Sequence, residues 1–145
     1  MAQPGRNLMT EAVQAQWDNA AEGWDAQASI LDAWLSRPTR TMLDLTGIEP
    51  GDHVLDIAAG AGEQTMALAQ RVGRQGRILA TDLSPLLVER LRGNAASAGL
   101  SIVEVRVADA QMPLSETDAF DAAICRLGLM LMGSLPCACQ PRTQR

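Results

Sequence analysis

Apolar positions in the first third of the chain recur with a helical period. Trp17, Ala20, Ala21 and Trp24 fall at i, i+3, i+4 and i+7, and Ile30, Ala33, Trp34 and Leu35, then Met42, Leu43 and Leu45, continue the pattern. This spacing predicts helix from Glu11 to about Ile48, after a loose terminus over 1–10. Pro38 is expected to open a new helix, because proline suits a first turn. The tryptophan spacing favours core positions over a ligand wall. Glu49-Pro50-Gly51-Asp52 is a turn signal.

The period then changes. His53–Ile57 is an apolar run of strand length, followed by the small-residue loop Ala58–Gly62 and a helix over 63–72 with Met66, Ala69 and Val72 on one face. Arg77–Thr81 reads as a second strand. Ser84-Pro85 is a helix cap followed by proline at the first helical position, and Leu87, Leu91, Ala95 and Ala98 form one face before Gly99 closes the helix. Ile102–Val107 and Asp121–Cys125 are the third and fourth strands, separated by a loop with Pro113 and Ser115. Strands alternating with helices predict an α/β fold, a doubly wound parallel sheet preceded by N-terminal helices. The expected organisation is a helical segment over 1–48, a ligand-binding core over 49–132 and an irregular tail over 133–145.

Composition narrows the classes. The chain has 145 residues, 47% hydrophobic and 20% charged, which fits one globular domain and excludes disorder as the main state. A net charge of −5 argues against nucleic acid as an electrostatic partner. No apolar run approaches the ~20 residues of a membrane span, and the start lacks an apolar signal region, so a cytoplasmic location is expected. All 17 acids precede Ala122, whereas the three cysteines and three of the twelve arginines lie after it.

The main chemical feature is the loop Ala58-Ala59-Gly60-Ala61-Gly62 between the first strand and the following helix. Small residues let backbone approach a ligand, and the helix N-terminus offers N–H groups to an anion. Asp82 ends the second strand 20 residues past Gly62, a spacing that suits a carboxylate on ribose hydroxyls. Together they predict a nucleoside site. A nicotinamide or flavin dinucleotide is disfavoured, because Thr65 stands where that fingerprint wants glycine or alanine.

These residues resemble the class I S-adenosylmethionine-dependent methyltransferases over roughly 11–132. Val54–Gly62 resembles the first motif, with Ala58 in place of its first glycine, and Ala80–Ser84 resembles the second. Ala108–Leu114 and Phe120–Arg126 are similar to the segments around the third and fourth strands, and the flavour is that of the small-molecule branch that includes ubiquinone/menaquinone biosynthesis. The resemblance implies a Rossmann-like sheet of order 3-2-1-4, S-adenosylmethionine as cofactor and a small-molecule methyl acceptor. It implies a cofactor-binding loop that includes Ala58, with room for the methionine moiety at Gly60 and Gly62, and a contact from Asp56 to its amino end. Asp82 would take the ribose hydroxyls, Leu83 would lie against the adenine, Asp109 and the Ala110 N–H would bond its edge, and Arg126 would face the sulfonium. No residue stands out as a catalytic base.

Other residues read blandly. His53 and Asp121 belong to strand entries, as does Asp118, and Cys125, Cys137 and Cys139 are reduced thiols with too few partners for a metal. Relatives continue past the fourth strand, where a helix is expected to begin at Leu127–Met132 and further strands to follow. The Pro-, Cys- and Arg-rich tail resembles an out-of-frame ending, so a truncated chain is expected. Such a chain is either a methyltransferase or an inactive fragment that binds the cofactor, with an exposed sheet edge prone to self-association.

Overall fold

A computed structural model describes residues 8–116 and 119–133. Two helices come first, α1 (Leu8–Ala26) and α2 (Ala28–Leu45). Then β1 (His53–Ile57), α3 (Glu63–Val72), β2 (Arg77–Asp82), α4 (Pro85–Ser97), β3 (Val103–Val107) and β4 (Ala122–Cys125) alternate as expected. The strands form one parallel sheet in the order β3-β2-β1-β4. In register, Asp56 sits between Ala80 and Ile124, and Asp82 beside Val107.

Apolar burial on both faces holds the sheet. Val54, Ile78 and Ile124 pack with Leu68 and Val72 of α3, Leu91 of α4 and Leu43 of α2. Leu55, Ile57 and Leu79 face the other way, onto Leu114, Phe120 and Met132. The near-continuous apolar character of β1 and β2 follows from this two-sided cover. Ser84 caps α4 by accepting from the Leu87 N–H at 3.2 Å, and Pro85 takes the first helical position. Asp121 Oδ2 accepts from the His53 N–H at 2.8 Å, which aligns β1 with the start of β4.

The helical third departs from the expectation. Residues 8–10 already belong to α1, and Thr10 is buried. Pro38 lies inside α2 instead of opening a helix, and the chain breaks at Gln27. Side-chain bonds reinforce α2 around the proline: Ser36 Oγ donates to Ala33 O and Thr39 Oγ1 to Leu35 O. The buried stripe of α2 is Leu35, Thr39 and Leu43, while Ile30, Trp34 and Leu45 are exposed. After β4, the expected helix is a single 3-10 turn over Leu129–Leu131. Asp118, Cys137, Cys139 and the tail over 134–145 lie outside the described residues.

Candidate functional site

The carboxyl ends of β1, β2 and β4 open into a cavity of about 380 Å³. It lies at the point where the strand order reverses, which is where open parallel sheets hold ligands. Ala58, Gly60, Asp82, Leu83, Asp109, Ala110 and Arg126 line it, brought together from four loops.

The glycine loop is folded by its own backbone and by Asp82. The Ala59 N–H donates to Thr81 O at 3.0 Å, and the Gly60 N–H donates to Asp82 Oδ2 at 2.9 Å. Gly60 has φ +60°, and a Cβ there would point into open space. Asp82 Oδ1 accepts from the Ser84 N–H at 2.9 Å. Burial raises the Asp82 carboxyl above the usual range. The N–H groups of Ser84, Gly60 and Leu83 pull it back, and the Asp18 charge raises it again. Asp109 closes a local turn, accepting from the Gln111 N–H at 2.9 Å.

Two expected positions are not on the cavity wall. Asp56 is fully buried, and its carboxylate accepts from Gln64 Nε2 and from Thr65 Oγ1, the latter at 2.6 Å. Burial pushes its carboxyl up to about 7, against the Thr65 and Gln64 hydrogen bonds and the Arg126 charge. Gln64 itself reaches the cavity, so Asp56 lies one layer behind the wall and anchors the start of α3. Gly62 is the second of these positions. A Cβ there would fall 2.2 Å from Leu91 Cδ1, so the missing side chain makes room for α4. Thr65, the departure from the dinucleotide fingerprint, is fully buried and serves as an Asp56 donor.

Arg126 faces the cavity, and its Nη1 donates to Thr39 Oγ1 at 2.7 Å, which ties the end of β4 to α2. Ala58 takes a positive φ of +54°, and its methyl is accommodated because Gly128 has none: a Cβ on Gly128 would lie 2.6 Å away. The main omission is α1. Met9, Thr10, Val13, Trp17 and Trp24 form one wall of the cavity. Trp17 and Trp24 meet edge to face at 5.3 Å and are only half-buried. Their helical spacing was the available signal, but it does not distinguish a ligand wall from core.

A parallel sheet of order β3-β2-β1-β4 with a glycine loop and an acid at its switch point is a Rossmann-like arrangement. The sequence pattern of the family described as "Methyltransferase domain" matches residues 54–138, more than half of the chain. A 2-phytyl-1,4-naphtoquinone methyltransferase of a Nostoc species is 34% identical over 137 residues, covering 88% of this chain and 57% of that one. A ubiquinone/menaquinone biosynthesis C-methyltransferase of Hydrogenovibrio crunogenus is 29% identical over 119 residues, 81% of this chain and 47% of the other. Among solved structures, geranyl diphosphate C-methyltransferase from Streptomyces coelicolor, in complex with S-adenosyl-L-homocysteine, superposes with a TM-score of 0.76. It is 15% identical and aligns over 89% of this chain and 57% of its own, so it speaks for the fold. The chain belongs to the class I S-adenosylmethionine-dependent methyltransferase family. It spans about half the length of the curated relatives it matches. Among the described residues, no helix is long and apolar enough to cross a membrane, and no cluster of His, Cys, Asp and Glu could hold a metal ion.

Proposed function

We propose that the cavity binds S-adenosylmethionine and that the chain serves methyl transfer to a small-molecule acceptor. The observation that carries this is Asp82, whose carboxylate is fixed by the Gly60 and Ser84 N–H groups at the mouth of the glycine loop. A carboxylate held in this way is pre-organised to accept from paired ribose hydroxyls. Leu83 and Leu87 supply an apolar surface for a base, and Asp109 stands on the same wall to accept from an exocyclic amino group. The open space at Gly60 admits the amino-acid arm beside the loop. The cavity volume lies within the ~300–1,000 Å³ range of small-ligand sites, so the residues present fit the cofactor.

When bound, the cofactor supplies a methyl group on a positively charged sulfur that is already a good leaving group. The protein's share is alignment and the exclusion of water. Gly60, Asp82 and Asp109 orient the nucleoside, while Trp17, Trp24 and Met9 of α1 offer an apolar wall to the acceptor. The naphtoquinone in the name of one relative and the quinone biosynthesis in the name of another support an acceptor of that general kind.

Calorimetry with S-adenosylhomocysteine against NAD tests the binding reading. Binding of the first alone is the expected outcome, and Asp82→Ala is expected to weaken it by about 1.5–3 kcal/mol through loss of charged hydrogen bonds. Equal affinity in Asp82→Ala would remove Asp82 from the site. A second reading, binding without turnover, draws on the wall formed after β4: Met130 is 72% exposed, and Leu127, Leu129 and Leu131 are also exposed, so this side excludes water poorly. Transfer of labelled methyl to a cell extract separates the two.

A further inference from the structure

Helix α1 contributes a wall of the cavity and meets the sheet domain at the glycine loop and α4. Its apolar attachment is small: Ala21 packs on Ala61 of the glycine loop and Leu87 of α4, with Trp17 alongside. A polar attachment runs through Asp18, whose Oδ1 accepts a hydrogen bond from Ser84 Oγ across 66 residues of sequence. Ser84 is fully buried, and besides its carbonyl, which accepts from the Val88 N–H in the first turn of α4, it makes two further bonds. Its Oγ accepts from the Leu87 N–H at 3.2 Å, and its N–H donates to Asp82 Oδ1 at 2.9 Å. The cap of α4, the ligand-facing carboxylate and the α1 wall therefore meet in a single residue.

We propose that Asp18 is a positioning residue that pins α1 to Ser84, so that docking of the α1 wall and capture of a nucleoside ligand at Asp82 are one coupled event. This rests on the reading of the cavity as a cofactor site. With the pin intact, Met9, Thr10, Val13 and Trp17 are held over the cavity, and a ligand on Asp82 meets a formed wall. Without it, α1 loses its tie to the Asp82–Ser84 corner, and part of the binding free energy goes into redocking the helix.

The test uses the full chain, with S-adenosylhomocysteine as probe. Asp18→Ala removes the acceptor, and alanine at a helical position does not weaken the helix. Its affinity is expected to fall roughly 5- to 30-fold, because only part of the lost bond's free energy is charged to ligand binding through redocking of the helix. Asp18→Asn keeps an acceptor oxygen and is expected to bind within about 3-fold of wild type. Glu22→Ala, on the exposed side of the same helix, is the control. Chymotryptic cleavage after Trp17 and Trp24 gives a readout independent of activity: the ligand should protect α1 in the wild type and in Asp18→Asn, and not in Asp18→Ala. Wild-type affinity in Asp18→Ala, or loss in Asp18→Asn equal to that in Asp18→Ala, overturns the pin. Absence of binding by the wild-type chain overturns the cofactor reading and this inference with it.

Discussion

Gly60 and Gly62 look equivalent in the sequence and are not equivalent in the molecule. Gly62 has φ +105° and no room for a methyl, because Leu91, whose Cδ1 is in the way, is itself fully buried and cannot swing aside. Gly62→Ala is expected to lose about 2–4 kcal/mol of stability through strain and overpacking. Gly60→Ala, at φ +60° with open space beside it, should lose only about 1–2 kcal/mol. Denaturant unfolding of both variants checks this, and equal losses would show that the Leu91 contact is unimportant. Asp56 makes a second prediction. Its carboxyl titrates near 7 in the folded chain and near 3.8 when unfolded, so the folded state binds more protons in between. Stability should therefore fall as pH rises from about 4 to about 7 and level off above that. Asp82, also raised by burial, adds a contribution of the same sign. Asp56→Asn should flatten much of the slope while Asp82 keeps a remainder, and melting temperatures at pH 5 and pH 8 would show it. An unchanged slope would mean that Asp56 does not titrate in that window. The sequence marked Asp56 and Gly62 as site residues because a linear motif records adjacency along the chain. It does not record which way a position faces, and both face into protein.

At the scale of elements, the alternating region was legible because its signals are local. Ser84-Pro85 caps a helix wherever it occurs before an apolar stripe, and a five-residue apolar run before a small-residue loop is a buried strand. Helix α2 was less legible. Its apolar residues are spread around the helix, and the buried stripe includes Thr39, which satisfies its hydroxyl on Leu35 O and accepts from Arg126. Tertiary packing selected that stripe over the one that Ile30 and Trp34 suggested. Pro38 is tolerated because it stands on the exposed side, where helix distortion disturbs no core contact. An interior proline still costs about 3 kcal/mol relative to alanine in a helix, partly offset by its restriction of the unfolded chain. Pro38→Ala is therefore expected to stabilise the chain by about 1–2 kcal/mol, with a higher melting temperature and unchanged ligand affinity. A lower melting temperature would show that α2 depends on the proline.

At the scale of the whole molecule, the strand order β3-β2-β1-β4 was legible once the motifs were aligned with a family, whereas the docking of α1 over the cavity was not. That docking runs through Asp18–Ser84 and Ala21–Ala61–Leu87, pairs distant in sequence between residues of no special type. The outer edge of β4 carries the last prediction. Among the described residues no strand pairs with that edge, whose sequence Ala-Ala-Ile-Cys carries neither charge nor proline to discourage pairing. Leu127, Leu129, Met130 and Leu131 continue from it with exposed apolar side chains. An uncharged edge beside an apolar surface favours association with a second chain, since pairing satisfies ladder N–H and C=O groups and covers the leucines together. The 145-residue chain is therefore expected to self-associate through β4 and the turn after it. Sedimentation should show species larger than a monomer, growing with concentration. Replacing Ala123 or Leu129 with lysine should return the chain towards monomer. A clean monomer with a sharp, reversible thermal transition would count against this, and would mean that this edge is covered within the chain.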